Sequence, residues 1–136
     1  MNIRPGSHRL LSIVLYLIAL HSLLTGIGLI LQPDFLLRWG GWGDVAQTFF
    51  PAQGGVFHLL MALLYAQAAR REHDRSVLLP FIILVKFSAA TFLLLYVALF
   101  EMIWLVLLSG AGDAVMAVLL LLLVRKHKGN EKLMHA

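Results

Sequence analysis

Long apolar runs dominate the chain, and short charged segments separate them. Four runs are each long enough to cross about 30 Å of hydrocarbon as a helix that rises about 1.5 Å per residue. The predicted spans cover residues 10–31, 52–69, 77–99 and 102–124, with an outer loop at 32–51 and a tail at 125–136. The pattern predicts an all-α fold, an integral membrane four-helix bundle that forms a single domain over residues 1–136.

Composition points the same way. Hydrophobic residues make up 60% of the chain and charged residues 13%, against about 45–50% and about 25% in globular domains. The bilayer must therefore solvate most of this surface. The chain has no cysteine, which excludes disulfides, iron–sulfur clusters and thiolate zinc sites. The net charge of +4 comes from basic residues at the ends of apolar runs, so we expect the lipid bilayer as partner and no nucleic acid.

The distribution of basic residues predicts the orientation of the spans. Nine basic residues flank the runs on one side: Arg4, Arg9, Arg70, Arg71, Arg75, Arg125, Lys126, Lys128 and Lys132. Arg38 alone lies on the other side. The positive-inside rule then places both termini in the cytoplasm and makes the bundle antiparallel, up and down.

The outer loop is rich in aromatic residues and glycine. Trp39, Trp42, Phe49 and Phe50 belong to residue types that favour the headgroup level of a membrane. One interpretation is an interfacial anchor, which we favour, and the other is a lid over an outward-facing cavity.

Two charged residues interrupt the last two spans. Lys86 lies 13 residues before Leu99, and Asp113 lies 13 residues after Phe100, on either side of a tight turn. In an antiparallel hairpin the two positions have the same depth. A charge at the centre of a membrane helix costs about 2.5–3.5 kcal/mol, and pairing offsets much of this cost. We therefore predict an intramembrane ion pair between Lys86 and Asp113.

The first two spans each carry one histidine at the same depth. His21 lies 12 residues from Arg9, and His58 lies 12 residues from Arg70. Ionisable groups inside lipid normally face the interior of a bundle. The candidate ligand or proton site is thus a polar layer of His21, His58, Lys86 and Asp113.

The role of this layer stays open at the level of sequence. The Lys86–Asp113 pair could fix helix register, or it could bind a ligand or a proton. The histidines could hydrogen-bond a neighbouring helix, or they could ligate a haem as two axial imidazoles. A metal held by His21, His58 and Asp113 fits by ligand type but shows no spacing signature, and no metal site is predicted.

Small residues share helix faces with the polar layer. Such residues let membrane helices approach closely. The predicted close-packing positions are Gly54, Gly55, Ser109, Gly110 and Gly112.

The segments TGIGLILQPDFLLRWGG and QGGVFHLLMALLYAQAARR, together with the polar-centred last hairpin, resemble the DoxX-like superfamily of small four-helix membrane proteins. The resemblance covers about Thr25 to Val124. In that superfamily a Gly-Gly pair opens the second helix and basic residues close it. The resemblance implies an association with quinone-linked redox subunits in some relatives.

The expected function is that of an accessory or quinone-associated subunit in a bacterial inner membrane, within a homo-oligomer or a larger complex. No independent catalytic activity is expected. One alternative is a small proton-coupled transporter that works as an oligomer through Asp113. A second alternative is a b-type haem protein with His21 and His58 as ligands. Quinone and haem are therefore the candidate cofactors.

Overall fold

The structure is a computed structural model that describes residues 5–42 and 47–134, and the side chains of residues 9–42 and 47–126. The described part of the chain is helical, with no strand. The helices are α1 (Pro5–Leu31), α2 (Asp34–Trp39), α3 (Phe49–Arg70), α4 (Arg75–Leu99) and α5 (Trp104–Met134).

Four of these helices are long and apolar enough to cross a membrane. The spanning stretches are Arg9–Leu31, Phe49–Arg70, Arg75–Leu99 and Trp104–Lys126, so the four predicted spans are confirmed as helices. The second begins three residues before the predicted position 52. Pro51 is compatible with this start, because the first turn of a helix needs no backbone N–H donor.

Two connections differ from the predicted layout. The predicted outer loop 32–51 contains the short helix α2 and the first turn of α3. The last helix continues to Met134, through most of the predicted tail 125–136.

The backbone turns sharply where α1 ends. Gln32 adopts a left-handed conformation with φ of 45°, which is costly for a residue other than glycine. Its N–H donates to the carbonyl of Gly28, and its side-chain Nε2 donates to the carbonyl of Thr48 at 2.9 Å. These two bonds hold the turn and tie the end of α1 to the start of α3.

The bundle consists of two closely packed helix pairs, α1 with α3 and α4 with α5, which contact each other less extensively. A methyl group added at Gly55 would lie 2.6 Å from the carbonyl oxygen of Gly26, so α1 and α3 touch backbone to backbone there. Large apolar side chains remain exposed on the outer faces, Leu63 and Val115 among them. These faces suit contact with lipid.

The two ends of the bundle are packed differently. Next to the α3–α4 connection, a core cluster joins all four long helices, and its fully buried members include Leu15, Ile18, Tyr65, Ile82 and Leu120. We call this end the packed half. The other end, next to α2, contains a partly open cavity of about 680 Å³, and we call it the hollow half.

Candidate functional site

A buried ion pair joins α4 to α5 at the middle of the bundle. Lys86 Nζ lies 2.6 Å from Asp113 Oδ1, and the lysine donates a hydrogen bond to the carboxylate. Lys86 is 2% exposed and Asp113 is 4% exposed. The two residues matched by depth in the sequence are therefore direct partners.

Tyr65 provides a third contact to this pair. The Lys86 ammonium lies 5.4 Å from the centroid of the Tyr65 ring, within the range of a cation–π interaction. Tyr65 is 1% exposed. Tyr65 follows His58 by two helical turns, so the sequence already places both residues on one face of α3.

The two histidines lie beside the pair on the other two long helices. Both are close enough to Lys86 and Asp113 for charge–charge interaction, and so are the two imidazoles to each other. All four predicted residues of the polar layer thus lie within electrostatic range of one another, and the direct contacts among these side chains and their neighbours include Lys86–Asp113 and His58–Ser22. His58 Nδ1 shares a hydrogen bond with Ser22 Oγ at 3.2 Å, which joins α3 to α1.

His21 differs from His58 because it borders the cavity of the hollow half. The polar residues that line this cavity are His21, Thr25, Gln32, Tyr96, Glu101 and Ser109. Leucine and isoleucine side chains supply most of the remaining wall. Concave, largely apolar sites with a few polar groups are typical of small-molecule binding.

The segment predicted as an outer loop forms part of the cavity wall. Gln32, Leu36, Leu37 and Trp42 all line it. The carbonyl of Gly40 accepts a hydrogen bond from the N–H of Leu105 at 3.0 Å, which fastens this segment to the start of α5. The favoured interpretation as an interfacial anchor was therefore incomplete, since the segment also covers a cavity.

Arg75 is a buried residue that sequence reasoning treated only as a topology marker. Its Nε and Nη2 donate to the carbonyls of Ala68 and Ala69, each at 2.9 Å, and Nη2 also donates to Ser12 Oγ at 2.8 Å. The guanidinium thus caps the last turn of α3 and joins α1, α3 and α4. Its positive charge at the C-terminal end of α3 also complements the dipole of that helix.

The predicted close-packing positions have different environments. A methyl group added at Gly110 would lie 3.1 Å from side-chain atoms of α4, so this glycine is tightly packed, as is Gly55. The prediction is wrong for Gly112, where an added methyl would meet no atom of the described residues within 4 Å, and Gly54 has ordinary clearance. Ser109 lines the cavity instead of serving only helix contact.

The arrangement gives little support to metal or haem ligation. Among the described residues, no group of three His, Cys, Asp or Glu side chains could hold a metal ion. His21 lines the cavity, whereas His58 is outside its lining and is engaged with Ser22. A haem would need both imidazoles to face one cavity.

No family model matches this chain, and no match was found among curated proteins or solved structures.

Proposed function

We propose that this chain is a small membrane-spanning binding protein that holds an amphipathic small molecule of the quinone class and serves as an accessory subunit of a membrane complex. The observation that carries this proposal is the 680 Å³ cavity whose inner end is bordered by His21 and Ser109. Ser109 lies one helical turn before Asp113, so this end of the cavity adjoins the Lys86–Asp113 pair.

The residues present fit a quinone-type head group. His21 and Ser109 offer hydrogen-bonding groups at the inner end, and Trp42 and Tyr96 offer further ones among the remaining lining residues. The leucine-rich wall between them suits a ring and the start of an isoprenoid tail. A bound quinone would supply electron-accepting chemistry, while the chain would bind it, orient it and shield it from water.

The proposal includes a topology with both termini in the cytoplasm of a bacterial cell. Contacts across the bundle support an up-down arrangement. Ser22 pairs with His58, whereas Ser12, ten residues earlier on α1, pairs with Arg75 beyond the end of α3. An earlier position on α1 thus pairs with a later position in the chain around α3, as expected for two antiparallel neighbouring helices. The excess of basic residues at the packed half supports its cytoplasmic location.

We also propose kinship with the DoxX-like superfamily. Gly55, the second residue of the Gly-Gly pair, supports it through its close contact with Gly26, since a side chain there would separate α1 from α3. The paired arginines at the end of α3 are also in keeping with the superfamily pattern.

The transporter alternative has less support. It requires a carboxylate accessible to protons and substrate, and Asp113 is 4% exposed and outside the cavity lining. The variant Asp113→Asn tests it in proteoliposomes. A transporter would lose substrate-coupled proton flux in proteoliposomes whose content of folded protein equals that of the wild type.

Binding of a short-chain quinone to the purified protein in mild detergent tests the main proposal. Trp42 lines the cavity, so we expect saturable quenching of tryptophan fluorescence. Substitution His21→Leu should weaken binding about three- to tenfold, the value of one hydrogen bond. The matched control is Leu20→Ala, since Leu20 is the adjacent residue and is 50% exposed on the outer face. Quenching that does not saturate, or that His21→Leu leaves unchanged, would refute the proposal.

A further inference from the structure

The cavity of the hollow half lies between α1 and α5. Residues 21–32 of α1 and 105–109 of α5 both contribute to its lining. In the packed half the same two helices contribute to the core cluster, with Leu15 and Leu120 among its fully buried members. The seam between α1 and α5 is therefore filled on one side of the polar layer and hollow on the other.

The segment that carries α2 covers the far end of this cavity. Its Leu36 packs next to α1, since a methyl group added at Gly28 would lie 3.7 Å from Leu36 Cδ2. Its Gly40 packs against α5, where the carbonyl accepts the N–H of Leu105 and an added methyl would lie 2.9 Å from Leu105 Cβ. The segment thus bridges α1 and α5 at the end of the cavity that is farthest from the polar layer.

The exposed residues of the lining show where the cavity opens. Glu101 lies in the turn between α4 and α5, whereas Leu24 and Leu108 lie within spanning stretches and are 61% and 47% exposed. Leu24 is three residues from His21, and Leu108 is five residues from Asp113. The two leucines are thus about 4.5 Å and about 7.5 Å from the level of the polar layer, both toward α2. Two exposed leucines at nearly one depth, one on each helix, mark an opening in the side of the bundle.

The position of this opening limits what the cavity can hold. A rim of leucine side chains lets a hydrocarbon chain pass into lipid without burying an unpaired polar group. The opening adjoins the inner end of the cavity, because Leu108 precedes Ser109 and Leu24 follows His21 by about one turn. A volume of about 680 Å³ is typical of sites for drug-sized ligands, so a long tail extends beyond the cavity.

We infer that the cavity opens sideways between Leu24 and Leu108, and that its ligand is a lipid whose head group lies at His21 and whose long hydrocarbon tail leaves through this opening. This inference rests on the proposed function and narrows it, from amphipathic molecules of the quinone class to their long-tailed, membrane-dissolved forms. The ligand then enters from the bilayer.

The test compares a short-tailed and a long-tailed quinone with the same head group. Each is bound to the full-length protein in nanodiscs of phosphatidylcholine and followed by quenching of tryptophan fluorescence. The double variant Leu24→Phe/Leu108→Phe fills the opening with larger side chains. We expect it to bind the long-tailed quinone at least about tenfold more weakly than the wild type, because the tail loses its path, and to change binding of the short-tailed quinone by less than about threefold.

Two further variants separate a blocked opening from a disturbed fold. Substitution Leu24→Ala/Leu108→Ala keeps the opening clear at the same positions, so binding of the long-tailed quinone should stay within about threefold of the wild type. The matched control Leu23→Phe/Leu122→Phe introduces the same rings on the same helices, at residues outside the described lining that are 40% and 57% exposed. It should leave binding of both quinones unchanged.

The outcomes distinguish this inference from the proposed function. A wild type that binds only the short-tailed quinone overturns the inference and leaves the proposed function standing. So does a phenylalanine double variant that binds the long-tailed quinone as tightly as the wild type, or that weakens both quinones equally. Absence of saturable binding of either quinone by the wild type overturns both.

Discussion

Removing one partner of the Lys86–Asp113 pair should destabilise the bundle far more than removing both. In the variant Lys86→Met, the Asp113 carboxylate keeps its burial and loses the ammonium 2.6 Å away. Breaking a buried pair in this way costs about 3–5 kcal/mol, because an uncompensated charge remains. Loss of the cation–π contact with Tyr65 removes about 0.5–2 kcal/mol more.

The double variant Lys86→Met/Asp113→Leu removes both charges and fills the space with apolar side chains. Replacing a buried ion pair by packed apolar residues is often neutral, or stabilising by about 1–4 kcal/mol. We therefore expect the double variant to have a free energy of unfolding close to that of the wild type. Each single variant should be clearly less stable than the double variant, which is a large deviation from additivity.

Unfolding by sodium dodecyl sulfate in mixed micelles, followed by circular dichroism, measures these differences. The chain offers matched controls on the same helices. Leu84→Met and Val115→Leu introduce the same side chains two residues away, where the native residues are 62% and 67% exposed. They should change stability by less than about 0.5 kcal/mol.

Two results would refute this reasoning. A loss below about 1 kcal/mol in Lys86→Met would mean that the pair is solvated and carries little energy. A double variant as unstable as either single variant would mean that packing of these two side chains matters more than charge compensation. Quinone binding by a stable double variant would further assign the pair a structural role.

Three further predictions follow from the packing and the charge pattern. Substitution Gly55→Ala should lower the free energy of unfolding by about 1–2 kcal/mol, because the added methyl is overpacked against backbone and this exceeds the gain in helix propensity. The added methyl of Gly112→Ala meets open space, so this variant should be neutral or stabilising by up to about 1 kcal/mol in the same unfolding assay. Substitution Arg75→Met should lower the unfolding free energy by about 3 kcal/mol or more through three lost charge-assisted bonds, while Arg71→Met, whose native side chain is 70% exposed, should change it little. The chain has no cysteine, so single cysteines introduced at positions 38 and 71 report the topology. A membrane-impermeant maleimide should label Arg38→Cys in intact cells and Arg71→Cys only after lysis. The reverse result would invert the proposed orientation.

The spans and the ion pair could be predicted because both depend on quantities that are local in sequence. Helix rise per residue converts a count of residues into depth, and depth alone matched Lys86 with Asp113. The apolar runs needed no tertiary information either, since the bilayer sets their length.

Arg75 and the cavity could not be found in this way. The role of Arg75 depends on where its acceptors lie in space, and these are the carbonyls of Ala68 and Ala69 and the hydroxyl of Ser12. A basic residue between two apolar runs has the same sequence pattern whether its side chain is buried or solvated. A cavity depends on space that side chains leave unfilled, which no run of residues encodes. Gly112 shows the same limit, because a small residue predicts close contact only where a neighbouring helix is present.

The position of the polar layer at the border between the two halves of the bundle gives it a double effect. Toward the packed half, the pair of Lys86 and Asp113 lies against Tyr65, itself part of the core cluster, so the charges are closed off from that side. Toward the hollow half, His21 opens onto the cavity. A ligand head group that reaches His21 therefore approaches the paired charges from the hollow half, while the packed half holds their geometry fixed. One histidine is thus joined to a neighbouring helix through Ser22 while the other faces the cavity. Under the proposed function, His21, more than His58, is the residue through which ligand binding and the polar layer are coupled.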